Sequence, residues 1–125
     1  MFINSKYIIL HALLCFLLGF VACSKKPSDE SIKIAIIEYF QKNGVPPSWA
    51  GSLLGGKDAE IQAIDIEEIG NYNNDKKYWP IKARIRGDCK ADFLVSRETR
   101  SFDRIGEFYL YEDDFGKLNA RLTDK

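Results

Sequence analysis

Between Tyr78 and Gly87 the chain alternates with a period of two. Trp79, Ile81, Ala83 and Ile85 are apolar, and Lys82, Arg84 and Arg86 between them are basic. Successive side chains of a strand point to opposite faces, so this run makes one buried and one wet surface. A half-solvated sheet of this kind is antiparallel by preference. Pro80 cannot donate to a ladder, which leaves one side of the strand unpaired at its start.

Ile61 to Ile69 supplies a partner, with Ile64 and Ile66 alternating with Asp65 and Glu67. The polar, glycine-led segment Gly70 to Lys77 joins the two. Keeping both apolar sets on one face predicts Ile66 opposite Ile81 and Ile64 opposite Ala83, with Asp65 facing Lys82 and Ala63 facing Arg84 on the outer side. Asp88 to Ala91 can extend the second strand past a bulge at Gly87, and Ser96 to Ser101 reads as the tip of a long hairpin. Ile105 to Glu112 is then a third strand. After a turn at Glu112 to Gly116, Leu118, Ala120 and Leu122 alternate along a fourth, with Phe108 expected opposite Ala120 and Leu110 opposite Leu118.

Ahead of the strands, Ser28 to Lys42 has helical spacing. Ile32, Ala35, Ile36, Tyr39 and Phe40 form a stripe that Ile34 and Ile37 widen. Ser28 is a suitable N-cap, Asp29 and Glu30 suit the first turn, and Gly44 suits the close. The polar face lacks the basic character of a membrane-surface helix, so the stripe is read as packing on the sheet. Val45 to Asp58 is a loop punctuated by Pro46-Pro47, Gly51 and Gly55-Gly56, with one helical turn near Ser48-Trp49-Ala50 and Trp49 as a lid on the core. Gly55-Gly56-Lys57 lacks phosphate-loop spacing. The order of elements predicts an α+β domain over 28–125: one N-terminal helix on a curved four-stranded antiparallel sheet. That order resembles the cystatin-like and NTF2-like folds, an analogy of architecture that carries no function. If the helix is an appendage, a small all-β barrel is the alternative.

Composition narrows the chemistry. Hydrophobic residues at 46% with 13% aromatics suit a globular core rather than disorder. Charges balance, so nucleic acid is not an expected partner. The one histidine, His11, and Cys15 lie in an apolar run from Tyr7 to Val21 that follows a single positive charge, Lys6. A run of about 15 residues is short of the ~20 that span a bilayer and has the layout of a secretory signal. At its end, Phe20-Val21-Ala22-Cys23 resembles the bacterial lipoprotein signal, with Phe20 where Leu is usual. The resemblance implies a signal peptide over 1–22, lipid on Cys23, and a tether over 23–27. It implies a cell-envelope protein anchored in the membrane; Ser24 after the cysteine, where Asp is associated with inner-membrane retention, points to the outer membrane, facing the periplasm. Ser24 to Pro27 reaches only about 14 Å at 3.3–3.6 Å per residue.

A mature domain so defined has no histidine and a single remaining thiol, Cys89. Histidine-based triads and most zinc sites are therefore not expected, nor is an internal disulfide. Cys89, between Asp88 and Lys90, reads as a small core residue or a strand-edge thiol. Asp65, Glu67 and Glu68 read as surface charges. Glu112, Asp113 and Asp114 lack calcium-loop spacing. No metal or other cofactor is expected. The feature left is a basic concentration mixed with tyrosines, in which Arg84, Arg86, Arg104, Tyr109 and Tyr111 are candidates for binding a partner. The expected function is that of a non-enzymatic envelope lipoprotein, a tethered binding or accessory module for an envelope protein. The alternative is a small-ligand or enzymatic pocket between helix and sheet working with Asp, Glu or Tyr, for example Tyr39 or Tyr78.

Overall fold

The computed structural model describes residues 25–123. The signal, Cys23 and the first residue after it lie outside the described residues. In chain order come α1 (Asp29–Asn43), α2 (Pro47–Ala50), β1 (Gly56–Ile69), β2 (Trp79–Asp92), β3 (Arg97–Glu112) and β4 (Leu118–Leu122). The strands form one antiparallel sheet in sequential order. The class is α+β, one long helix on an open four-stranded sheet.

The Ser28 side chain accepts from the Ser31 backbone N–H, Asp29 and Glu30 occupy the first turn, and the Gly44 N–H closes onto Phe40 O. α1 turns Ile32, Ala35, Ile36 and Phe40 onto the sheet, against Ile81, Ala83, Ile85, Phe108, Leu110 and Leu122. Ile34, expected in the stripe, is half exposed. It sits at the flank of the helix, beyond the width of sheet available to cover it. Phe40 is the hub of an aromatic group, 6.0 Å from Phe108 edge to face and 5.5 Å from Trp49. Trp49 reaches the sheet through Gly106, where a Cβ would stand 2.9 Å from the indole ring. The lid expected of Trp49 is therefore built on a glycine of β3.

Both predicted registers are displaced by two residues. Ile64 faces Ile85, Ile66 faces Ala83 and Ile69 faces Ile81. A bulge between Ile66 and Glu68 takes up one residue of β1, so that Ile66 and Ile69 lie on the same side. Two further bulges lie between Lys57 and Glu60 and between Ile61 and Ala63. Gly87 is not itself bulged; it sits opposite Ile61, beside the last of these, and β2 runs unbroken along β3. In β4, Leu122 faces Phe108 and Ala120 faces Leu110. Asp113 N–H bonds Lys117 O across a three-residue loop ending at Gly116, whose φ is 76°. That loop type demands a left-handed residue at its last position, and Gly116 fixes the register by supplying it.

β3 begins at Arg97, not Ile105, and the β2–β3 hairpin turns at Leu94-Val95 between the bonded pair Phe93 and Ser96. The polar run Glu98 to Asp103 is thus paired strand. β1 also starts early, at Gly56, where Val45 bridges to it.

Candidate functional site

Alternation sorts the sheet into a face covered by α1 and an outer face. On β2 the outer set is Lys82, Arg84, Arg86, Asp88, Lys90 and Asp92, opposite Glu107, Ile105, Asp103, Ser101, Thr99 and Arg97 of β3. Arg84 makes a two-pronged contact with Asp103, Nε to Oδ1 at 2.7 Å and Nη2 to Oδ2 at 2.6 Å. This fork matches the planar geometry of a carboxylate, fixing a side chain that otherwise samples many rotamers. The Arg84 hydrogen bond, aided by its charge, pulls the Asp103 carboxyl below its ordinary range. Arg86 lies 3.6 Å from Asp65 of the edge strand. Asp65 stands opposite Arg84 in the ladder rather than opposite Lys82, a consequence of the displaced register.

Tyr109 and Tyr111 share this outer face and are part-exposed. The Tyr109 ring lies 4.0 Å from that of Tyr78, the planes inclined by 32°. A hydrogen bond with Tyr78 raises the Tyr109 phenol above its ordinary value. Tyr78 directly precedes β2 and continues the parity of Lys82 and Arg84, so its place on the face of Tyr109 was legible in the alternation. Beside the pair run Glu68, Lys82 and Pro80, around a shallow hollow of about 320 Å³.

Arg104 is elsewhere. It stands opposite Ile85, on the face that carries the core, and its Nη2 donates to Ser48 O at 3.2 Å. The structure thus places Arg84, Arg86, Tyr109 and Tyr111 on one face, with the tyrosines farther along β3 than the arginines, and puts Arg104 on the other face. The signal was present in the sequence: Arg104 is an even number of residues from Phe102, Phe108 and Leu110, all of which are buried.

An open cleft of about 560 Å³ lies between α1 and β4. Glu38, Lys42, Lys117, Asn119 and Arg121 line it, with Tyr39 and Tyr111. Glu38 and Lys117 pair across it at 3.2 Å. Between α1 and the centre of the sheet lies a cluster of buried side chains that includes Ile32, Ile36, Phe40, Ile85 and Phe108. Cys89 is buried, its sulfur against Gly56, and burial pushes its thiol pKa up. That favours the unreactive thiol form. Among the described residues no three His, Cys, Asp or Glu side chains group as metal ligands. Asp113 instead organises its own turn, accepting from the N–H groups of Phe115 and Lys117 and from Asn119 Nδ2.

The two ends of the sheet differ. Lys25, the first described residue, lines a hollow with Tyr72, Trp79, Leu110 and Glu112, where β2 begins and β3 ends. At the other end, roughly 40 Å along β2 at strand rise, Leu94 and Val95 are fully exposed. No family model matches the chain, and no curated protein or solved structure matches it.

Proposed function

We propose that this chain is a membrane-tethered binding module of the bacterial cell envelope, held by lipid on Cys23 and engaging an envelope protein through the outer face of its sheet. The observation that carries the reading is the outer face itself. It carries a tyrosine pair, Tyr78 and Tyr109, with Tyr111, and farther along the same face Arg84, forked onto Asp103, and Arg86, 3.6 Å from Asp65. Tyrosine and arginine dominate interface energetics because each offers area and hydrogen bonding at small entropic cost, and a pre-ordered arginine loses less on binding. A tether of about 14 Å raises the effective concentration of membrane neighbours, so modest contacts suffice. The helix-then-strands order supports a cystatin-like or NTF2-like grouping, and the cluster of buried side chains beneath α1 supports surface contact over an enclosed pocket.

The α1–β4 cleft supports a second reading, the binding of a small anionic ligand among Lys42, Lys117 and Arg121. The two readings separate in one experiment. Arg84→Glu, Arg86→Glu and Tyr109→Ala together are expected to remove crosslinked envelope partners in intact cells, whereas Lys42→Glu leaves them. Partners that survive the first set in a folded protein overturn the outer-face reading.

A further inference from the structure

β3 is sixteen residues long, and β4 covers only Phe108 to Glu112 of it. Among the described residues no strand lies along the rest of that edge. The direction of its backbone groups can be read twice. Thr123 N–H bonds Glu107 O on the β4 side, and the Phe93–Ser96 pair sets even-numbered residues of β3 toward β2. Arg97, Thr99, Ser101, Asp103 and Ile105 therefore aim both N–H and C=O at the free edge. That is a ladder of five residues, roughly 27 Å long at ~3.4 Å per residue.

We infer that this edge pairs with the same edge of a second copy of the chain, antiparallel about a dyad at Ser101. The register follows from charge. With Ser101 opposite Ser101 of the second copy, Thr99 meets Asp103, Arg97 meets Ile105, Arg100 meets Phe102, and Glu98 meets Arg104, each pair occurring twice. Opposite charges face across the strands in the Glu98–Arg104 pairs, and no like charges do. Sliding the strands by one ladder step sets Arg100 against Arg100 or against Arg104. Sliding by two toward β4 sets Asp103 against Asp103. Only the Ser101 register uses the whole window without such a clash.

Length agrees with charge. Arg97 of the second copy falls opposite Ile105, and its hairpin turns at Leu94-Val95 where Thr123 takes over the edge. At that point β4 ends in a notch of about 260 Å³ where Trp49, Ile105 and Leu122 stand beside Ser48, Lys82 and Glu107. The register brings the Leu94-Val95 turn of the second copy up against this end of β4. It thereby accounts for two fully exposed aliphatic residues at a turn, where Asn-Gly is the ordinary choice. The interface is isologous, and it does not depend on the outer-face reading or on lipidation.

Cysteine crosslinking of the full chain in isolated membranes tests it, with the linked peptides identified by mass spectrometry. Ser101→Cys is expected to form a 101–101 disulfide under mild oxidation, since directly opposed strand residues lie ~5.5 Å apart. Thr99→Cys alone is expected not to crosslink to itself, and Thr99→Cys with Asp103→Cys is expected to give 99–103 links. In the Ser101→Cys background, Glu98→Arg should lower the yield severalfold and added Arg104→Glu should restore it. Absence of the 101–101 link in folded protein, self-linking at 99, or failure of the charge swap to restore yield overturns the proposal.

Discussion

At the scale of single residues, carboxylates do much of the ordering on this surface. Asp113 is held below its ordinary pKa of 3.8, first by the Lys117 backbone N–H and then by Asn119. Asp92 and Asp103 are lowered in the same way, by Arg97 and Arg84. Each binds its proton more weakly folded than unfolded. Each therefore stabilises the fold above its unfolded value, and that contribution is lost as pH falls through the lower, folded values. Thermal melts from pH 5 to pH 2 should show a falling midpoint for the native chain and a shallower fall for Asp113→Asn. Identical slopes would mean that the turn draws nothing from the charge. These pairings were only partly legible beforehand. An Arg beside an Asp in sequence gives no hint of Arg84 reaching Asp103, because the β2–β3 register that joins them is set by the turn at Leu94-Val95.

Among elements, α1 and β2 were the legible ones, because each buries a face at its own period and nothing interrupts it. Ile81 is 2% exposed beneath the helix, while Arg84, one pleat away in direction, is on the wet side. Ile81→Ala should cost roughly 2–5 kcal/mol through lost burial and a residual cavity, measured by urea unfolding, and Arg84→Ala should cost far less. Comparable losses would contradict the face assignment. The start of β3 was not legible for a physical reason. Leu94-Val95 has no turn-forming residue, and Glu98 to Ser101 has no apolar alternation, so a strand paired wholly through its backbone resembles a loop. Bulges leave equally little trace: Glu67 and Glu68 look like any two surface acids until Ile69 has to face Ile81.

For the whole molecule, the placement of Lys25 near Trp79 and Glu112 sets the direction of any tether. A lipid on Cys23 would hold this end at the bilayer and leave the Leu94-Val95 end outward. Cys23→Ala is expected to abolish palmitate labelling and to leave unprocessed precursor; normal processing of that variant would remove the anchor from the proposal. The bulges of β1 have a consequence of their own. Three irregularities in fourteen residues, with Asp58, Glu60, Asp65, Glu67 and Glu68 along them, leave that edge bent and acidic. A sheet with two straight edges can add copies at both sides and grow without limit. Here one side refuses a flat strand, and the other, if it pairs, pairs with itself. Under the proposed pairing, association through this sheet would stop at two chains, and the long bare strand would seed a closed pair and not a fibre.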